Sequence, residues 1–137
     1  MTIKSFEEIN AWVEARELTK RIYEATGEAR FSKDFGLRDQ IRRASVSIMA
    51  NISEGFDSQS NVEFIRFLIY ARRSSSEVQS HLYVALDQKY ISQKLFNELY
   101  DKSIYTAKLI NAFITYLRSS GKRLKKSTGK PANQKTS

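Results

Sequence analysis

Between Met1 and the single proline at Pro131, only glycines interrupt this 137-residue chain, at positions 27, 36, 55, 121 and 129. That scarcity of breakers constrains the fold more than any other feature. Proline ends or kinks a helix because it lacks the N–H and clashes with the preceding turn. All-β folds need turn residues at roughly every 8–12 positions. This chain has neither a scatter of prolines nor clusters of turn residues, so it reads as a few long helices.

Four segments carry helical periodicity. The first opens at Ser5-Phe6-Glu7-Glu8, whose serine-to-glutamate spacing has the capping-box form. Ile9, Trp12, Val13, Leu18 and Ile22 give it an apolar side up to Gly27, and Glu28 to Lys33 read as a linker. The second runs from Phe35 or Gly36 to Glu54, with Asp34 as N-cap and Gly55 as the closing C′ glycine. Leu37, Ile41, Ala44, Ser45, Ile48 and Ile52 share one face of it. A short polar connection, Phe56 to Ser60, leads to a second capping box at Ser60-Asn61-Val62-Glu63. The third helix then carries Phe64, Phe67, Ala71, Ser74, Val78, His81 and Ala85 at heptad spacing, widened by Leu68, Leu82 and Leu86, as far as Lys89. At the rise of an α-helix it is roughly 40 Å long. Tyr90 and Ile91 lead to Ser92, the N-cap of a fourth helix bearing Leu99, Ser103, Thr106, Ile110, Phe113 and Leu117, with a neighbouring row of Phe96, Tyr100, Ala107 and Ile114. Gly121 is its natural end. Short connections make sequential helices antiparallel neighbours. The predicted fold is therefore all-α, an antiparallel up-down-up-down four-helix bundle over residues 1–120.

Residues 121–137 form a basic tail. Six of the chain's eight net positive charges follow Ser119, with no acidic residue among them, which leaves the remainder at +2. With one leucine the tail cannot bury enough apolar surface to offset ordering entropy, so disorder is predicted there. The absence of cysteine removes disulfides and thiolate metal sites. No stretch approaches the roughly 18 apolar residues of a membrane span. The start, MTIKSFEEINAW, has no apolar signal region. A cytoplasmic protein without a membrane partner is the expectation.

Ile65, Ile69, Tyr83, Leu109 and Tyr116 lie off the main stripes of the third and fourth helices. Helices apolar on several sides are buried on several sides. Either the bundle has a thick core or copies of the chain associate.

The search for chemistry is negative. The one histidine, His81, falls on a core row, and Glu77 four residues before it is not matched by a second such pair, as a di-metal bundle requires. Glu54 and Glu77 are separated by roughly 20 Å along the bundle, too far to share a scissile bond. No glycine-rich phosphate loop occurs. No enzyme, cofactor or metal is expected. What remains is a polar strip. Arg42 and Arg43 precede Ala44 and Ser45, Arg72 and Arg73 precede Ser74, Ser75 and Ser76, and antiparallel pairing sets the two runs side by side. The strip is either a solvated face with arginines paired to Glu77 and Asp39, or a phosphate-contacting surface suited to guanidinium forks. Lys122, Arg123, Lys125 and Lys126 would add salt-sensitive attraction from the tail.

Two runs have a family look: Gln40-Ile41-Arg42-Arg43-Ala44-Ser45-Val46-Ser47-Ile48-Met49-Ala50-Asn51-Ile52-Ser53-Glu54-Gly55-Phe56 and Glu63-Phe64-Ile65-Arg66-Phe67-Leu68-Ile69-Tyr70-Ala71-Arg72-Arg73-Ser74-Ser75-Ser76-Glu77-Val78. With Trp12 and Gly36-Leu37, they resemble the four-helix-bundle family of 23S ribosomal RNA intervening-sequence proteins over about residues 5–118. The chain departs from that family at Met49, where proline is common, and at Arg73 and Asp57, where glycine is common. The resemblance implies a bacterial, cytoplasmic, non-enzymatic homopentamer. It extends to the accessory variability determinant proteins of diversity-generating retroelements, basic pentameric barrels that assist a reverse transcriptase and contact nucleic acid. Two functions are thus expected as alternatives. One is an oligomeric bundle binding RNA or DNA phosphates through Arg42, Arg43, Arg72, Arg73, Lys122, Arg123, Lys125 and Lys126. The other is a protein-interaction scaffold, such as an accessory subunit of a retroelement reverse transcriptase.

Overall fold

The computed structural model describes the backbone of residues 2–128 and the side chains of residues 2–120. It is all-helical, with no strand among the described residues. A single 3₁₀ turn, Phe6–Glu8, precedes α1 (Asn10–Thr26), a short α2 (Ala29–Lys33), α3 (Phe35–Asp57), α4 (Asn61–Asp87) and α5 (Gln93–Thr128). Side-chain pairs fix the directions. Thr19 meets Ser45 and Thr26 meets Arg42 between α1 and α3. Arg43 meets Glu77 and Ser47 meets Ser74 between α3 and α4. Phe64 meets Phe113 and Tyr83 meets Phe96 between α4 and α5. Glu14 meets Lys102 and Arg21 meets Glu98 where α5 closes on α1. In each pair of helices one number rises as the other falls, so all four neighbours are antiparallel, as the connections predicted.

Several helix ends differ from the sequence reading. Ser5 makes no side-chain cap, and its carbonyl instead accepts from the Glu8 N–H to form the 3₁₀ turn, so α1 begins only at Asn10. The linker from Glu28 contains α2, a single helical turn fixed by Phe31, which is buried and stacks on Tyr90 at 5.1 Å. Asp34, Ser60 and Ser92 do cap: Asp34 Oδ1 accepts from the Leu37 N–H at 3.1 Å, Ser60 Oγ from Glu63 at 3.2 Å, and Ser92 Oγ from Leu95 at 3.0 Å. Lys89 closes α4 with φ 61, its N–H reaching Leu86 O while that of Tyr90 reaches Ala85 O. This is the six-to-one, five-to-two pattern that usually takes glycine. Neither suspected glycine stop is one, since α3 continues past Gly55 to Asp57 and α5 past Gly121 to Thr128. The tail side chains from Gly121 on, and the prediction of disorder over residues 129–137, lie outside the described residues.

The core of α4 is rotated by one row from the expected heptad. Phe64, Leu68, Ala71, Ser75, Val78, Leu82 and Ala85 are buried at alternating spacings of four and three, while Phe67 and His81 move to the flank. Gly55 explains part of the rotation. A Cβ on it would come within 2.7 Å of Phe64 Cδ1 and 3.0 Å of Phe67 Cβ, so α3 and α4 approach closely only because that position is bare. Farther along, the Ser74 hydroxyl donates to Ser47 Oγ at 2.9 Å and the Ser75 hydroxyl to Ser103 O at 3.1 Å, so small polar residues hold α4 between its neighbours. The serines after Arg73 are therefore mostly packing residues: Ser74 and Ser75 are buried and only Ser76 is exposed. Ile65, Ile69, Leu109 and Tyr116 pack against the core of the same chain. Of the five apolar residues off the stripes, only Tyr83 is substantially exposed, at 50%.

Candidate nucleic-acid interface

The backbones of the two arginine runs lie side by side, but their side chains fan into three seams. Arg42 turns to α1. Its Nε donates to Thr26 Oγ1 at 2.7 Å, and its guanidinium sits 4.5 Å from the centre of the Tyr23 ring. Thr26 is buried, and its hydroxyl is satisfied by donating back to Ile22 O, which leaves its lone pairs to hold the arginine. Arg43 turns to α4, donating to Gln40 Oε1 at 2.9 Å and lying 3.5 Å from Glu77. Arg73 is exposed, four residues before Glu77 on the same row, and lies against Tyr70. It therefore shares the α3/α4 face with Arg43. Arg72 points the other way, to Asn111 Oδ1 on α5 at 2.9 Å. The expected pairing with Glu77 is present, whereas Asp39 pairs with Arg38 instead. Lys122, Arg123, Lys125 and Lys126 lie outside the described side chains.

Three of the four arginines can thus serve outer faces on the α3 side of the bundle, two of them around one depression. A solvent-open hollow of about 610 Å³ runs between α1 and α3, with Tyr23 on one side, Arg42, Arg43, Val46 and Ala50 along α3, and Asp39 at one end. Tyr23 and Thr26 were not singled out in the sequence. Tyr23 looks like one more residue on a charged helix face, and nothing local marks Thr26 as the anchor of a residue sixteen positions away. The available signal was the helical turn between them: both lie on the edge of α1 that a neighbouring helix must cover.

Electrostatics at the α3/α4 seam are mixed. His81 has its Nε2 buried with no hydrogen-bond partner among the described residues. Burial pushes its pKa below the ordinary value, opposed by Glu77 and reinforced by Arg43. Glu77 lies level with Arg43, so Glu54, eleven residues farther along α3, is removed by about 16 Å of helical rise. Among the described residues no three carboxylate or imidazole groups converge as a metal site would require. No described helix is long and apolar enough to cross a membrane.

The fold and its surface define a small antiparallel four-helix-bundle protein whose notable exposed chemistry is arginine beside aromatic rings. The profile of the 23S rRNA-intervening sequence protein family matches residues 7–112, and the chain belongs to that family. A crystal structure of a protein of unknown function from the S23 ribosomal protein family of Bacteroides thetaiotaomicron is similar, with a TM-score of 0.69 and 28% identity over 76% of this chain and 97% of that one. No curated protein matches.

Proposed function

We propose that this chain is a non-enzymatic, self-associating bundle that binds nucleic acid through the phosphate backbone. One observation carries the reading: Arg42 is held at Nε by a buried threonine and backed by an aromatic ring, which leaves its two terminal nitrogens without a partner among the described residues. A guanidinium fixed in this way has already lost the rotamer freedom that phosphate binding costs. Arg43 beside it and Arg73 on the next helix extend the positive face. Arg43 and Glu77 form an exposed pair, the kind that contributes little and exchanges readily with a competing anion. The basic residues after Ser119, including Lys122, Arg123, Lys125 and Lys126, supply further sequence-independent attraction. A homopentamer in the bacterial cytoplasm belongs to the proposal and rests on the family relation and its link to ribosomal RNA.

Anisotropy of a labelled oligonucleotide tests it. Binding at about 50 mM salt should weaken by orders of magnitude at about 200 mM, with a slope that decreases in Arg42→Ala, Arg43→Ala and Arg73→Ala. Absence of binding at the lower salt removes the reading. The scaffold reading, including an accessory role beside a reverse transcriptase, is favoured by a separate feature. Tyr83 is half exposed in a cluster with Phe96 and Tyr100, rings 4.9–5.6 Å apart, and next to exposed Val84. Aromatic residues of this kind anchor protein interfaces. Capture of a protein partner that resists nuclease and is lost in Tyr83→Ala supports that second reading.

A further inference from the structure

The hollow between α1 and α3 combines two things that a duplex backbone does not need together, a fixed guanidinium and an exposed aromatic ring, and a second exposed ring, Phe35, lies on α3 four residues before the Asp39 end. Tyr23 is 44% exposed and carries Arg42 against its ring, and Phe35, 64% exposed at the start of α3, carries Arg38 at 4.9 Å. Arg38 is itself immobilised, donating through Nε to Asp39 at 2.9 Å and through Nη1 to Ser32 O at 3.1 Å. Both rings are therefore braced by an arginine that is hydrogen-bonded elsewhere. The two platforms sit on one side of the bundle, seven residues apart along α3 between Phe35 and Arg42, about 10 Å of helical rise. A single exposed ring is ordinary on a monomer, but each of these two is backed by an arginine. The rigid cationic backing makes each one a ready surface for another flat π-system.

We propose that this hollow, together with the Phe35 ring beyond its Asp39 end, is a subsite for unpaired bases of a single-stranded nucleic acid, with Tyr23 and Phe35 as stacking platforms and Arg42 and Arg43 on the adjoining phosphates. The inference rests on the nucleic-acid reading above and sharpens it from backbone binding to a preference for single strands. Three properties of the site match that ligand. The charge is complementary, since Arg42 and Arg43 flank the hollow while its one carboxylate, Asp39, is committed to Arg38. The volume of about 610 Å³ lies within the roughly 300–1,000 Å³ of small-ligand sites. The aromatic faces are presented to solvent, where a splayed base reaches them, whereas the bases of a duplex are stacked on one another. Apart from the arginines and the Tyr23 hydroxyl, the polar side chains of the hollow are engaged within the protein, Asp39 with Arg38 and Ser47 with Asn51 and Ser74, so recognition there rests on stacking.

The test uses the full chain and two fluorescent probes of one length, a mixed-sequence single-stranded RNA and its duplex, with the matching DNA strand as a third arm. At about 50 mM salt the single strands should bind more tightly than the duplex. Phe35→Ala should weaken single-strand binding and leave duplex binding unchanged; Tyr23→Ala, which also removes the ring behind Arg42, should weaken single-strand binding about tenfold and duplex binding less, while Tyr23→Phe, which keeps the ring, retains both. An RNA strand carrying 2-aminopurine reports the stacking itself: its fluorescence should be quenched on binding by the parent protein and by Phe35→Ala less so. Circular dichroism of each variant confirms that the exposed substitutions leave the helices intact. Equal affinity for strand and duplex, with Tyr23→Ala and Phe35→Ala unchanged in both, overturns the stacking subsite while leaving phosphate binding standing. No binding to any probe overturns the nucleic-acid reading and the subsite with it. A preference for the RNA strand over the DNA strand would place a 2′-hydroxyl contact beside the platform, and equal affinity assigns the site to the base and phosphate alone.

Discussion

Gly55 lies two residues before the end of α3, facing Phe64 and Phe67 of α4. The sequence shows a glycine where a helix has run for about twenty residues, and a helix stop is the cheaper explanation. The structure uses the missing side chain for approach, with Phe64 and Phe67 of α4 packed where a Cβ would stand. Gly55→Ala therefore sets a helix-propensity gain of up to about 1 kcal/mol against overpacking of about 1–3 kcal/mol. The ring of Phe64 is wedged against Phe56 and Phe113 and has little room to yield. Net destabilisation of about 1 kcal/mol is expected in urea unfolding, and an alanine variant with a raised midpoint would contradict the close approach. His81 gives a second test at this scale. Its pKa is depressed in the folded state, chiefly by burial, so the unfolded chain takes up the proton first as pH falls. The neutral side chain is compatible with the fold above the ordinary value of 6.5, and stability is lost as pH drops below 6.5 toward the depressed folded value. Urea midpoints at about pH 7.5 and about pH 5.5 should differ in the parent and differ less in His81→Leu, which also removes the unpartnered Nε2. Equal slopes in the two proteins would assign the pH dependence to other groups.

At the scale of helices, periodicity was a better guide than punctuation. The four long segments and their order follow from apolar spacing, which reflects burial summed over many turns. Caps depend on a single local geometry, and the same motif gave opposite results at two places. Ser60 caps α4 through its hydroxyl, while Ser5, in an equally good motif, contributes only its carbonyl to a 3₁₀ turn. The difference is tertiary. Phe6 packs edge-on against Trp12 at 5.1 Å, and Ile9 is buried, which fixes an extended residue between the 3₁₀ turn and α1. Ser60→Ala should cost about 1 kcal/mol and Ser5→Ala close to nothing, read as a difference in thermal midpoint between the two variants. Equal losses would mean that Ser5 caps a helix in solution. The one-row rotation of α4 has a similar origin. Two heptad stripes, one through Phe67 and His81 and one through Leu68 and Leu82, were both present in the sequence, and the chain alone could not rank them. Leucines fill the centre because α3, α4 and α5 enclose that row, leaving histidine at the edge, where its polar ring is less costly.

For the whole molecule, the arginine pairs and their rough adjacency were visible in the sequence, but the directions of the side chains were not. Adjacent arginines on a helix diverge by about 100°, so Arg42 and Arg43 had to serve different seams, and only the neighbours decide which: Thr26 draws one inward and Glu77 the other across. Self-association is the other whole-molecule question, and the structure narrows its sequence argument. Four of the five apolar residues that suggested it are satisfied within one chain. Of those five, what is left to cover is Tyr83, half open to solvent beside exposed Val84 at the end of the α4/α5 face, with its ring against buried Phe96 and half-buried Tyr100. A ring uses one patch against a different patch on the next copy, so a substitution in either breaks every contact at once. Light scattering of the full chain should give five copies of the 15.8 kDa protein, about 79 kDa. Tyr83→Glu, which places a charge at an exposed position beside Phe96 and Tyr100, should shift that mass toward one copy while helicity is unchanged. A parent protein that scatters as a monomer removes the homopentamer, and a Tyr83→Glu variant that keeps the parent's mass moves the interface elsewhere.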